Sequence, residues 1–103
     1  MNRLSQLEEL LKEDPNDPFL KYGIALEHAK LGNLAEAIQR IENLLAEKPD
    51  YLGAYYQLGQ YYEAVKNFDA AKNIYEKGML LAKEKKNMKT LNELREALQL
   101  LEE

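Results

Sequence analysis

YLGAYYQLGQYYEAV, residues 51–65, places five tyrosines and two glycines in what otherwise reads as one short helix. Glycine in a helix interior costs roughly 1 kcal/mol against alanine, and tyrosine is only a middling helix former. Local propensity therefore does not account for this composition. A tertiary reason does: a small residue lets a neighbouring helix come close, and large side chains fill the space around it. Packing at interior density requires that complementarity.

Working outward, the rest of the chain is also helical, with no period-2 alternation of the kind a half-buried strand shows. A first helix spans about Asn2 to Glu13, with Leu4, Leu7, Leu10 and Leu11 as its apolar stripe, and Asp14-Pro15 stops it. Asp17 reads as the N-cap of a second helix with Pro18 at its first position, and that helix runs to about Leu31. Gly32 ends it. Asn33 opens the third helix, which runs to about Glu47, and Glu36 three residues on completes a predicted capping box. The fourth helix opens at Asp50 or Tyr51 and ends near Lys66. The fifth, capped by Asn67, runs from Phe68 to about Lys85. A sixth, capped by Asn87, holds Met88, Leu91, Leu94, Leu98 and Leu101. Six helices with short connections imply antiparallel neighbours.

The segment Pro18–Tyr51 slides onto Leu52–Lys85 with a shift of 34 residues. Tyr22 falls on Tyr56, Asn33 on Asn67, Ala37 on Ala71 and Glu42 on Glu76. Ile24 falls on Leu58, Ala25 on Gly59, Leu34 on Phe68 and Ile41 on Tyr75, so residue size recurs even where identity does not. Carried backwards, the same shift lays Pro15 on Pro49 and Leu7 on Ile41, which makes the first helix the second half of an incomplete repeat.

Period and pattern together resemble the tetratricopeptide repeat family, in particular its small bacterial-type members. Leu58-Gly59 stands at that motif's Leu-Gly, Tyr62 at its Tyr, Ala71 at the small residue opening the second helix, Tyr75 at the large aromatic and Gly78 at the next small position. The first repeat is looser: Ile24-Ala25, His28 in place of Tyr, Ala37, Ile41, Leu44 at a position usually small, and Pro49 at the terminal proline. Lys83 stands where the second repeat would carry its proline. Asn92 and Glu93 break the pattern in the last helix, which reads as the capping helix that repeat arrays need.

The resemblance implies an all-α, TPR-like α-α superhelix, here a short right-handed superhelical arc. One domain spans residues 1–103: a half repeat at 1–15, repeats at 18–51 and 52–85, and a capping helix at 87–103. It implies a non-catalytic adaptor or scaffold whose first helices line a groove for a peptide or partner helix. Mapped by position, the lining residues are Phe19, Tyr22, Leu26, Ala29 and Lys30, then Tyr56, Gln57, Gln60, Glu63 and Ala64. The alternative reading is a self-associating homodimer with no free groove, tested through Leu94→Glu or Leu98→Glu. Family members that grip the carboxylate ends of heat-shock chaperones carry a clamp of Lys, Asn and Arg. Tyr22, Leu26 and Gln57 occupy those sites here, so that clamp is absent.

Composition bounds the rest. The chain has 103 residues, 46% hydrophobic and 31% charged, a net charge of -4 and a pI of about 5.1. That describes one ordinary globular domain and argues against a nucleic-acid partner, since such proteins usually carry a basic stripe. Without cysteine there is no disulfide or thiolate chemistry. The N-terminal MNRLSQLEELLKED lacks the long apolar core of a signal peptide, and no apolar run reaches the 18 or so residues of a membrane span. The expectation is a complete small cytoplasmic protein with no membrane partner. His28, the only histidine, is expected to be a packed and partly satisfied residue; a metal site needs further clustered ligands. Ser5 and Thr90 have no evident base partner, and no phosphate-binding glycine loop is present, so no reaction class, metal or cofactor is expected. The basic run KEKK, Lys83 to Lys86, reads as complementing a helix C-terminal dipole, with an acidic docking partner as the alternative.

Overall fold

The computed structural model describes residues 2–103, and among them there are six helices and no strand. They form two compact units, Met1–Pro49 and Asp50–Glu103.

The first unit comprises α1 (Arg3–Glu13), α2 (Pro18–Lys30) and α3 (Leu34–Glu47). The Asn2 side chain accepts from the Ser5 N–H at 2.8 Å, which starts α1. The Asp17 carboxylate accepts from the Phe19 and Leu20 N–H groups, and Pro18 fills the first position of α2, where no N–H is needed. α2 packs against both α1 and α3. Leu7, Ile24, Ala25, Ala37 and Ile41 are buried at this junction. Gly32 adopts φ +87°, and the Asn33 N–H donates to the His28 carbonyl at 2.9 Å, so a left-handed residue closes α2 as the sequence indicates. The predicted capping box does not form. Asn33 makes no side-chain cap, and the Glu36 carboxylate instead accepts from Arg40 Nε at 2.8 Å one turn on.

The second unit comprises α4 (Gly53–Ala64), α5 (Phe68–Glu84) and α6 (Met88–Glu102). The helix quoted at the outset starts later than Asp50 or Tyr51. Its N-cap is Leu52, whose side chain makes no capping bond, and Tyr51 and Leu52 lead in through tight turns in which their carbonyls accept from Ala54 and Tyr55. Asn67 and Asn87 cap α5 and α6, accepting from the Ala70 and Thr90 N–H groups at 3.2 and 3.0 Å. The turns before them repeat the Gly32 geometry with lysine: Lys66 lies at φ +63° and Lys86 at φ +56°. The basic run thus ends in a left-handed turn residue.

α5 is the central element of this unit, with α4 and α6 packed on it and on each other. Gly59 explains the opening composition. A Cβ built there would lie 2.6 Å from Cδ1 and Cζ of Tyr75 and closer still to Cε1, so the buried Tyr75 ring occupies the volume of a side chain that Gly59 lacks. Gly78 does the same from the α5 side, where a Cβ would fall 2.8 Å from Cβ of Tyr55 and 2.9 Å from Cδ1 of Leu94. The first unit uses the same small-and-large arrangement in a less extreme form: Ala25 and Ile41, both fully buried, stand at the positions of Gly59 and Tyr75.

Candidate functional site

Tyr75 is fully buried, and its hydroxyl reaches from α5 to side chains of α4. It donates to Oε2 of Glu63 and accepts from Nε2 of Gln60 at 2.7 Å. Burial, followed by the hydrogen bond to Glu63 and that group's charge, raises the phenol pKa above its usual value, so the hydroxyl stays protonated and donating. The ring also lies against Tyr56, with centroids 6.3 Å apart at 42°. One buried side chain therefore fixes three residues of α4.

Those three, Tyr56, Gln60 and Glu63, are groove residues expected from the sequence, and here they line one cleft of about 300 Å³. The opposite wall comes from α6: Glu93, Glu96, Ala97 and Leu100. These four are missing from the sequence-derived lining because the last helix reads as a cap. A signal for them exists. Buried Leu91 and Leu94 of α6 match buried Tyr55 and Leu58 of α4 in spacing, and in that register Glu93 and Glu96 stand at the positions of Gln57 and Gln60. Gln57 is half-buried and lies outside the cleft lining, and Ala64 is exposed.

In the first unit, α2 carries the remaining expected residues. Phe19 is 67% exposed; Tyr22, Leu26 and Ala29 are half-buried. Lys30 is exposed, but its ammonium pairs with Glu27 at 3.4 Å, a carboxylate that also faces Arg3 at 3.6 Å. His28 departs from expectation. Neither ring nitrogen has a hydrogen-bond partner among the described residues, although both are buried, so the residue is packed without being satisfied. Among the described residues no group of three or more His, Cys, Asp or Glu side chains is placed to hold a metal ion, and no helix is long and apolar enough to cross a membrane.

The tetratricopeptide repeat family model matches residues 28–91, more than half of the chain. This chain belongs to the tetratricopeptide repeat family. A tetratricopeptide repeat domain protein from Salinibacter ruber, solved in solution, is 40% identical, with 85% of this chain and 89% of that one covered and a TM-score of 0.82. A protein from Bordetella parapertussis shares the fold at 20% identity, with a TM-score of 0.86 over 98% of this chain and 88% of that one. The first tetratricopeptide repeat domain of Spaghetti (RPAP3), solved bound to the HSP90 peptide SRMEEVD, is 27% identical, with a TM-score of 0.74 and coverage of 97% and 78%. No curated protein matches the chain. The architecture is thus an all-α helical repeat of this family, a class of protein-interaction modules.

Proposed function

We propose that this tetratricopeptide repeat protein is a non-catalytic adaptor that holds a peptide or partner helix against the exposed faces of the first helices of its repeats, α2 and α4. The α4–α6 cleft is the best-supported contact surface. The observation that carries this reading is the convergence of Tyr56, Gln60 and Glu63 on one cleft, the first held against the ring of buried Tyr75 and the other two by its hydroxyl. A surface whose side chains are already ordered loses less entropy when a partner binds. Tyrosine adds a large, rigid contact with a polar end, the kind of residue enriched where binding energy concentrates. Gln60 keeps its carbonyl oxygen for a peptide N–H while its amide is engaged with Tyr75.

Selection of a displayed random peptide library against the full chain tests the reading. Enriched peptides should bind the native protein and lose binding to Tyr56→Ala, with the variant's unfolding curve retained. Tyr56 is 40% exposed, so truncation there removes contact surface more than core. Failure to enrich any peptide, or enriched peptides indifferent to Tyr56→Ala, would refute it.

A further inference from the structure

The chemistry of the cleft selects among occupants. Three of its seven lining residues are carboxylates, Glu63, Glu93 and Glu96, and none is basic. From Asp50 to Glu103 acidic and basic residues are nearly equal in number, so the cleft does not merely mirror a local excess of acid. None of the bases lines the cleft: four lie at Lys83, Lys85, Lys86 and Lys89 around the α5–α6 turn, Lys72 pairs with Glu102 at 3.7 Å, and Arg95 of α6 donates to Asn92 Oδ1 at 3.2 Å. Glu9, Glu27, Glu36, Glu47 and Glu102 each have a cation within 4 Å, and among the described residues Glu63, Glu93 and Glu96 have none, so no cation of the chain neutralises the cleft. Glu63 uses Oε2 for both Tyr75 and Gln60, and its Oε1 has no partner among the described residues. Between the carboxylates lie Ala97, the 63%-exposed Leu100 and the ring of Tyr56.

Resting on the adaptor reading above, we propose that the α4–α6 cleft takes a basic segment of a partner protein, one that inserts an arginine or lysine side chain. Each part of such a side chain has a counterpart. The aliphatic stem lies along Leu100 and Ala97, the cationic head stacks over the face of Tyr56, and its N–H groups donate to Glu63 Oε1 with Glu93 and Glu96 around them. A volume of about 300 Å³, at the lower end for a ligand pocket, suits one or two side chains, so the remainder of the segment lies on the open surface. An acidic segment would bring like charges together in a partly desolvated site, which disfavours it strongly.

The test uses the full chain and three fluorescein-labelled helical peptides, alanine- and leucine-based and identical except for arginine, glutamine or glutamate at the same two positions one turn apart. Binding is followed by anisotropy at low salt and again in concentrated sodium chloride. The arginine peptide should bind at least about tenfold more tightly than the glutamine peptide, and the glutamate peptide most weakly. Glu93→Gln with Glu96→Gln, both on the exposed part of α6, should remove that preference, while Glu8→Gln with Glu9→Gln on α1 should leave it intact. Salt should narrow the gap between the peptides, as an electrostatic preference requires. Equal binding of the arginine and glutamine peptides, or loss of preference in the α1 variant as well, overturns the proposal. Equal binding that still depends on Tyr56 leaves the adaptor reading standing and removes only the basic partner. No binding by any peptide, combined with no enrichment from the random library, removes both.

Discussion

Gly59→Ala is the most informative single substitution, because its sign in this fold is opposite to its sign in an isolated helix. On propensity alone alanine should stabilise α4 by about 1 kcal/mol. The new Cβ, however, must occupy space held by the Tyr75 ring, 2.6 Å from two of its carbons, and that ring is fully buried. The obstacle is the middle of an aromatic ring and not a flexible chain end, so relief requires α4 and α5 to separate or the ring to turn. Overpacking of this kind costs about 1–3 kcal/mol. A shifted ring also weakens the hydroxyl contacts to Glu63 and Gln60, at about 1 kcal/mol each. The net expectation is a destabilisation of about 2–4 kcal/mol, seen as a lower urea midpoint with unchanged slope by far-UV circular dichroism. Gly23→Ala is the matched control. There a Cβ would sit 3.4 Å from Leu7, an ordinary contact, so the propensity gain should survive and the midpoint should rise. Combining Gly59→Ala with Tyr75→Leu should make the alanine favourable again, a coupling of at least about 1 kcal/mol between the two sites. If Gly59→Ala alone proves as stable as the native chain, the claim that the ring fills the glycine's vacancy is wrong.

Three further outcomes are expected. Lys66→Gly should stabilise by about 0.5–1 kcal/mol, since φ +63° is strained for lysine and open to glycine; a lower midpoint would show that the lysine side chain contributes more than its backbone strain takes away. His28→Phe should stabilise by about 1–2 kcal/mol by removing two buried, unpartnered nitrogens while keeping a planar ring, and a fall in stability would mean those nitrogens are satisfied in solution. The raised pKa of Tyr75, with Tyr55 and Tyr61 raised in the same sense, means that the folded chain holds phenol protons which the unfolded chain releases near pH 10. Stability is therefore fully present below about pH 10 and lost as pH climbs from there through the folded values. Tyr75→Phe should flatten that alkaline decline in unfolding free energy, and an unaltered decline would remove Tyr75 as its source.

Most helices were legible because they carry their own punctuation: Asp17-Pro18, Gly32-Asn33, Asn67 and Asn87 mark boundaries by backbone chemistry that acts over a few residues, whereas α4 has no such signal and starts later than its sequence suggests. The repeat was legible because residue size at buried positions must recur when the packing recurs. What failed was local detail decided by competition. Glu36 is within reach of both a helix start and Arg40, and it pairs with the cation. Half of the cleft stayed hidden for a different reason. Leu91 and Leu94 identify the buried face of α6, but a buried face does not reveal whether the opposite edge is a cap's solvated surface or the wall of a cleft. His28 shows a similar limit: sequence spacing indicates packing, while partners for its nitrogens depend on side chains that spacing does not position.

The alternation between Ala25 with Ile41 and Gly59 with Tyr75 also constrains how such a chain can change over generations. The two positions of a pair must move together, yet substitutions arrive one at a time. Acquiring the aromatic ring while alanine is still opposite forces a clash into a close-packed interior. Acquiring glycine first leaves only a small void and a weaker helix, a loss of about 1 kcal/mol that a marginally stable domain can carry. The passable order is glycine before tyrosine, and the reverse journey sheds the ring before regaining the methyl. Neighbouring repeats of one chain can therefore share a backbone plan and still be unable to exchange single residues with each other.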